Sequence, residues 1–218
     1  MQLFIGNKNY STWSLRAWLL LEKFDVDYEE VKLGLETAQF YNTLKNISPT
    51  LKVPTLVDGN VTVWESLAIL EYINETYLSG QALPENREQR ARARALCAEM
   101  HSGFSALKNA MPMNIRAKRH VEVDTKVSKD IQRIEDIFTE QMQYDYQGGW
   151  LFGHWTIVDA MYAPVCMRFY TYGVTLNETA SRYVEHVLAC PVLSKWREQA
   201  LLEHEVVECD EAGIERKE

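Results

Sequence analysis

Cysteine and histidine are scarce in this sequence, with four cysteines and five histidines in 218 residues. The cysteines form no C-x-x-C pair and the histidines show no H-E-x-x-H spacing, so the sequence does not predict a metal site. The cysteines stand mostly in apolar helical contexts, and we expect buried, unpaired thiols in a reducing compartment. They are Cys97, Cys166, Cys190 and Cys209.

Long apolar runs and an excess of basic residues are also missing. The longest runs, such as AWLLL at 17–21, are far shorter than a bilayer crossing requires, and MQLFIGNKNY lacks the pattern of a signal peptide. We therefore expect a cytoplasmic protein. The 31 acids exceed the 23 bases and give a formal net charge of −8, which repels phosphate backbones and argues against a nucleic-acid partner.

The first half of the chain has the pattern of a small α/β domain. Apolar runs QLFIG and DYEEVKL predict strands, and apolar spacing from Trp13 to Lys23 predicts a helix with Ser11 or Thr12 available as its cap. TAQFYNTLKNI predicts a short second helix. Asp58-Gly59-Asn60 between two β-branched runs predicts a hairpin, and a helix follows from Ser66. The predicted order is βαβαββα, with the apolar face of the last helix formed by Leu67, Ile69, Leu70, Ile73 and Tyr77.

The second half has a helical pattern throughout. The polar segment SGQALPENREQRA separates the halves and predicts domains at 1–79 and 89–218 with a linker at 80–88. We expect helices at Arg87–Leu107 and Lys126–Met142, a turn-rich loop beginning at Asp145, and a further helix from Thr156. Thr156 and Asp159 match a capping box, which explains both residues structurally. A run of arginines has the pattern of a solvated face paired with Glu85, Glu88 and Glu99: Arg87, Arg90, Arg92 and Arg94.

Four motifs, taken in their order along the chain, resemble those of a known protein family. They are YSTWSLR at 10–16, KVPTL at 52–56, VWES at 63–66 and FGHWTIVDA at 152–160. Together they resemble the soluble, bacterial-type glutathione S-transferases, nearest in character to the serine and zeta-like classes. The resemblance implies an α/β thioredoxin-like N-terminal domain followed by an all-α C-terminal domain, and glutathione as cosubstrate without a metal. It also implies a homodimer built from the helix after Ser66 and the first helices of the second half.

The resemblance implies a glutathione site around the second and third motifs. It makes Pro54 a cis proline, with the backbone of Val53 free to pair with the cysteinyl unit of glutathione. Ser66 at a helix start would bind the γ-glutamyl carboxylate, and Glu65 would bind the ammonium group. Lys52 would lie near the glycyl carboxylate. The plain alternatives are an ordinary N-cap for Ser66, a first-turn acid for Glu65 and a solvated lysine for Lys52.

A transferase must hold the glutathione thiol as thiolate, although a free thiol has a pKa near 8.5. A hydroxyl and a helix N-terminus can lower that pKa. Counting back from Arg16 as the family's helix arginine makes Ser11 the first candidate and Thr12 the second, followed by Tyr10 and Ser14. The stretch lacks the cysteine of the omega and beta classes and the Ser-Ser-Cys run of the zeta class. Conjugation or peroxide reduction is therefore the expected chemistry.

The second substrate is expected between the loop after the first strand and the early helices of the second half. Flexible thioethers and aromatic rings suit apolar electrophiles, although a core role is the plainer one for the methionines and an interhelical contact for His101. The candidates are Trp13, Met100, His101, Phe104, Met111, Met113, Asn114 and Arg116. Two other functions stay open: glutathione-dependent cis–trans isomerisation of a small diacid, as by maleylacetoacetate isomerase, and noncatalytic binding of glutathione or another ligand.

Overall fold

Four short strands and three helices form the first part of the fold, in the predicted order. The computed structural model describes residues 1–144 and 148–216; the start of the loop predicted from Asp145 lies outside them. The elements are β1 (Gln2–Ile5), α1 (Thr12–Lys23), β2 (Glu29–Lys32), α2 (Ala38–Leu44), β3 (Thr55–Asp58), β4 (Val61–Trp64) and α3 (Ser66–Thr76). The thioredoxin-like expectation for this region is confirmed.

The sheet has the strand order β2-β1-β3-β4, with β1 parallel to β2 and antiparallel to β3. Side chains alternate between its faces, as the pleat requires. Leu3 and Ile5 point into the main core with α1 and α3, whereas Phe4 packs against Phe40 and Leu44 of α2 on the other face. Helices therefore cover both faces of the sheet. The loops that connect its strands to these helices are left to form a site.

Helices dominate the second part. They are α4 (Arg87–Ser102), α5 (Ser105–Ala110), α6 (Thr125–Met142), α7 (Ile157–Tyr172), α8 (Glu178–Leu188) and α9 (Pro191–Leu201). This part also contains a 3₁₀ turn at Glu208–Asp210. Its two short strands, β5 (Arg119–His120) and β6 (Ile214–Glu215), pair as an antiparallel ribbon. No helix within the described ranges is long and apolar enough to cross a membrane.

The prediction of one helix over Arg87–Leu107 was wrong, because the chain breaks after Ser102. Phe104 adopts a left-handed conformation with φ 59°, and a Cβ at Gly103 would approach the Glu99 carbonyl oxygen at 2.7 Å. A glycine therefore permits the close turn that starts α5. This break turns α5 toward the loop that precedes α1.

Helix α7 is buried along nearly its whole length and contacts α1, α4 and α8. The predicted capping box forms at its start, where Asp159 accepts a hydrogen bond of 2.8 Å from the Thr156 amide. Asp159 also accepts a hydrogen bond of 2.9 Å from the Tyr183 hydroxyl. These contacts give Asp159 the structural role that the sequence indicated.

Several surface expectations need correction. Cys209 is exposed, because it lies on the 3₁₀ turn near Glu36, whereas the other three cysteines are buried. Tyr77 is also exposed, since α3 ends before it, and its hydroxyl donates to Asp58. Arg92 and Arg94 do pair with acids, but these acids come from other helices: Glu140 for Arg92 and Glu71 for Arg94.

Candidate functional site

A cavity of about 570 Å³ lies where the loop before α1 meets the segment before β3, helix α5 and the buried helix α7. Its walls come from both halves of the chain. Seven candidate residues from the sequence line it: Tyr10, Ser11, Thr12, Trp13, Lys52, Val53 and Met113. His101, Phe104 and Arg116 are not among the described residues that line it.

Hydroxyl groups surround the start of α1. Ser11 occupies the N-cap position, but its hydroxyl makes no capping bond and instead donates to Ser14 Oγ at 2.7 Å. Ser14 Oγ also accepts a hydrogen bond of 3.1 Å from the Gly6 amide. Thr12 lines the cavity, and its hydroxyl makes no hydrogen bond to the described residues. Thr12 is therefore the hydroxyl that is free to serve a ligand.

Tyr10 also lines the cavity, but its hydroxyl is occupied. It donates to Glu211 at 2.6 Å and accepts a hydrogen bond of 2.9 Å from Arg116. Burial and the Glu211 carboxylate raise the pKa of Tyr10. This contact also explains the position of Arg116, whose guanidinium is drawn to Tyr10 and to the backbone carbonyls of Glu203 and Glu205 and so lies outside the cavity.

A smaller cavity of about 130 Å³ adjoins the first and shares Trp13, Lys52 and Val53 with it. The Val53–Pro54 peptide bond on its wall is cis, as the resemblance implies. Glu65 and Ser66 form the rest of the wall, at the start of α3. All five residues of the sequence-based glutathione site therefore lie together, although their individual roles stay predictions.

The Ser66 hydroxyl is an unsatisfied buried group. Ser66 is 1% exposed, and its Oγ atom has no hydrogen-bond partner among the residues that the structure describes. It is the first residue of α3, and Glu65 before it has φ 70°, so Ser66 is not the ordinary N-cap. A buried hydroxyl without a partner is costly unless a ligand supplies one.

Trp13 stands between the two cavities and is held by several contacts. Its ring packs edge-on against His101 with centroids 5.4 Å apart, and the Arg16 guanidinium lies 4.4 Å from the ring centroid. His101 Nε2 lies 3.6 Å from Glu65, while burial and the nearby Arg16 lower the pKa of His101. His101 is therefore a supporting interhelical residue. Phe104, Met100 and Met111 are buried in the core, and Asn114 bonds to Asn9 and Glu211.

Sequence reasoning missed the positive charge of the larger cavity. Among the described residues its wall carries four cationic side chains, Arg16, Lys52, Lys108 and Arg168, and two carboxylates, Glu36 and Asp210. In the sequence analysis Arg16 served only as a family landmark, and Lys108 and Arg168 were not considered. An arginine within the apolar run VCMRFY was the one available signal, because a charge in a buried helix requires a partner or a function.

The end of the chain fixes the loop before α1. Glu203 is 6% exposed, and its carboxylate accepts hydrogen bonds from the backbone amides of Lys8 at 2.8 Å and Asn9 at 3.0 Å. Asn9 in turn accepts from the Arg116 amide at 2.9 Å through its side chain. The loop that carries Ser11 is thereby attached to the segment that follows α9 and to the segment that follows α5.

No group of three or more metal-ligating side chains occurs within residues 1–144 and 148–216. The arrangement instead offers hydroxyl groups, helix N-termini and cationic side chains around two joined cavities. Such a set can bind an anionic, peptide-like ligand and stabilise a negative charge near Thr12.

Comparisons with known proteins agree with this geometry. Residues 3–75 match the family model described as glutathione S-transferase, N-terminal domain. Over 108 residues the chain is 37% identical to a probable maleylacetoacetate isomerase of Caenorhabditis elegans, covering 50% of each chain. It is 34% identical over 125 residues to glutathione S-transferase Z1 of Arabidopsis thaliana, covering 54% of this chain and 56% of that one. The matches span about half the length of these curated relatives.

A solved structure extends the likeness to nearly the whole chain. A glutathione transferase homologue from Burkholderia, crystallised with bound glutathione, superimposes with a TM-score of 0.71 at 26% identity. The match covers 91% of this chain and 97% of that one. Residues 3–75 therefore form a glutathione S-transferase N-terminal domain, and the chain as a whole has the two-part fold of the soluble glutathione transferases.

Proposed function

We propose that this protein binds glutathione in the smaller cavity and activates its thiol for attack on a small electrophile in the larger one. The buried, unpartnered hydroxyl of Ser66 at the start of α3 carries this proposal. A ligand carboxylate at this position accepts hydrogen bonds from the Ser66 hydroxyl and from the free amides of the first turn of α3. The γ-glutamyl end of glutathione supplies that carboxylate, and Glu65 beside it is suited to the ligand's ammonium group.

The remaining contacts follow from the same orientation of the ligand. The backbone of Val53, on the cavity wall next to Pro54, is suited to the cysteinyl unit, and Lys52 to the glycyl carboxylate. The thiol then lies toward the start of α1. Thr12, with its free hydroxyl, is a better donor to the sulfur than Ser11, whose hydroxyl donates to Ser14. The positive end of α1 also stabilises a thiolate.

Glutathione-dependent cis–trans isomerisation is the second candidate. It is favoured by the 37% identity to the probable maleylacetoacetate isomerase of Caenorhabditis elegans. Conjugation is placed first because the chain lacks a Ser-Ser-Cys run before α1. The two reactions differ in their products: conjugation leaves a thioether, while isomerisation releases free glutathione.

We further propose a cytoplasmic homodimer that uses α3 and the early helices of the second half. The unpaired cysteines suit a reducing compartment. Trp64, at the end of edge strand β4 and just before α3, is 40% exposed. An exposed tryptophan beside a sheet edge favours a covering partner.

Glutathione binding and thiol ionisation test the main proposal. Titration calorimetry measures the affinity, and the ultraviolet absorbance of the bound thiolate measures the thiol pKa. We expect wild type to bind glutathione with a lowered thiol pKa, and Ser66→Ala to weaken binding about tenfold through loss of one charge-assisted hydrogen bond. Ser194→Ala, a change of a serine on α9 away from both cavities, serves as the control. Equal affinity of Ser66→Ala and wild type contradicts the assigned site.

A further inference from the structure

The larger cavity is cationic in a protein that is acidic as a whole. Its four cations face two carboxylates in the described residues, while the chain carries a formal net charge of −8. None of the four cations forms a salt bridge within the described part of the chain. This cavity therefore has an unbalanced positive charge that a neutral electrophile does not require.

Arg16 is the clearest sign of a missing anion. It is 2% exposed, it lines the cavity, and its Nε and Nη1 atoms have no hydrogen-bond partner in residues 1–144 and 148–216. The guanidinium lies over the Trp13 ring, but this contact leaves Nε and Nη1 without an acceptor. A buried donor without an acceptor is strongly unfavourable, because it has lost its hydrogen bonds to water. A carboxylate matches a guanidinium with two parallel hydrogen bonds.

Lys108 and Arg168 extend the same positive region. Arg168 lines the cavity, and among the residues that the structure describes its guanidinium donates only to carbonyl oxygens, those of Lys108 at 3.2 Å and Met111. The Lys108 ammonium donates to the Met100 carbonyl at 2.6 Å. Burial, followed by repulsion from Arg16 and Arg168, lowers the pKa of Lys108 to about 8. The three cations thus repel one another in the absence of an anion.

We infer that Arg16, Lys108 and Arg168 form a carboxylate subsite, and that the electrophile of this enzyme carries a carboxylate on the part of the molecule remote from the attacked carbon. This inference rests on the proposed function and adds the class of second substrate. Lys52 belongs to the glutathione side, since it lines both cavities. Glu36 and Asp210 also line the cavity, so its four cations exceed its carboxylates by two.

The test uses two chloronitrobenzenes of similar shape that differ in charge, 4-chloro-3-nitrobenzoate and 4-chloro-3-nitrobenzamide. Each kcat/KM is divided by the rate constant of the uncatalysed reaction with glutathione, because the carboxamide activates the ring more strongly than the carboxylate. In both, the glutathione sulfur forms a bond to the ring carbon, chloride leaves with the bonding electron pair, and the thiol proton goes to solvent. We expect wild type to prefer the carboxylate over the carboxamide by at least about tenfold in kcat/KM. An equal or higher kcat/KM for the carboxamide overturns the subsite.

Two variants assign the preference to the subsite. Lys108→Gln is expected to lower kcat/KM for the carboxylate about tenfold more than kcat/KM for the carboxamide. Lys126→Gln removes the same charge from the exposed start of α6 and is expected to change neither value. Equal losses for both substrates in Lys108→Gln assign Lys108 a structural role and contradict the inference.

Arg16→Met separates binding from folding. Methionine fills a similar space without unpaired donors, so this variant is expected to lose the carboxylate preference while its urea midpoint stays the same or rises. A lower midpoint with the preference intact makes Arg16 structural and overturns its part in the subsite.

A binding experiment without glutathione keeps this inference distinct from the proposed function. Titration calorimetry compares 4-nitrobenzoate with 4-nitrobenzamide on the full chain and on Lys108→Gln. Tighter binding of the benzoate to wild type alone supports the subsite, even where no conjugation or thiolate is found and the transferase proposal fails. Equal binding of the two probes to wild type overturns the subsite, whatever the result with glutathione.

Discussion

The carboxylate of Glu203 accepts a hydrogen bond of 2.8 Å from the backbone amide of Lys8, 195 residues earlier in the chain. The same carboxylate accepts from the next amide, so the loop leading to the start of α1 has its polar backbone satisfied from the far end of the protein. A buried carboxylate with two amide donors fixes both the path and the dipoles of this loop. The position of the Thr12 hydroxyl therefore depends on a residue outside the cavity.

Replacing Glu203 by glutamine tests this dependence. The amide can accept only through one oxygen, so one buried backbone N–H of the loop loses its partner. We expect the free energy of unfolding to fall by about 1–3 kcal/mol and the pKa of bound glutathione thiol to rise. Urea denaturation and thiolate absorbance measure the two effects. Glu205→Gln, at a side chain 54% exposed, is the control and is expected to change neither.

The hydroxyls of Thr12 and Ser11 are expected to contribute differently to thiol activation. Thr12→Val keeps the shape of the side chain and removes a free hydroxyl, so we expect it to raise the pKa of the bound thiol. Ser11→Ala removes a hydroxyl that donates to Ser14, and we expect a smaller shift. Absorbance titration of each complex compares them, with glutathione affinity measured in parallel. A larger rise for Ser11→Ala restores Ser11 as the activating residue, its place in the sequence-based order.

The carboxylate preference should depend on pH through Lys108. Its pKa is lowered to about 8, so the ammonium is charged below that pH and neutral above it. Arg16 and Arg168 face it from α1 and α7, Asp130 from α6, and carbonyl oxygens from α4. We expect the ratio of kcat/KM values for benzoate over benzamide to fall as pH rises through about 8. The ratio cancels the ionisation of the glutathione thiol, which is common to both reactions.

Lys108→Gln is the comparison for this pH profile. Its ratio should be low and independent of pH, since the remaining cations are arginines. A ratio that falls in the same way in wild type and in the variant assigns the titration to another group.

The proposed homodimer is tested at Trp64. A lysine there places a charge in the proposed contact, so Trp64→Lys should sediment as a monomer at concentrations where wild type is a dimer. Val123→Lys changes an apolar side chain of similar exposure, 45%, outside the proposed interface and should stay dimeric. A wild type that sediments as a monomer at all concentrations contradicts the homodimer.

Local patterns made much of the fold predictable from the sequence. The Asp58-Gly59-Asn60 turn and the alternation around it predicted the hairpin of β3 and β4, which the strand register confirms. The capping pair Thr156 and Asp159 predicted the start of α7. The break at Gly103 was missed, because a single glycine beside helix-forming residues does not reveal that the next residue turns left-handed.

The chemistry of the site was only partly visible. Residues at helix starts, such as Ser66, could be assigned because their position follows from the local pattern. Arg16, Lys108 and Arg168 come from three different helices, and only packing brings them to one wall. Arg116 was expected in the cavity and does not line it. Its contacts to Tyr10 and Glu203, which hold it elsewhere, also depend on the tertiary structure.

The attachment of the first loop to Glu203 also matters while the protein is being made. A chain emerging from the ribosome can form its sheet early, because β1 to β4 lie within the first 64 residues. The acceptor for the amides of Lys8 and Asn9 is synthesised long after these four strands. Products that stop short of residue 203, through premature termination or proteolysis, should therefore form the sheet and yet leave the loop before α1 without the acceptor that fixes it.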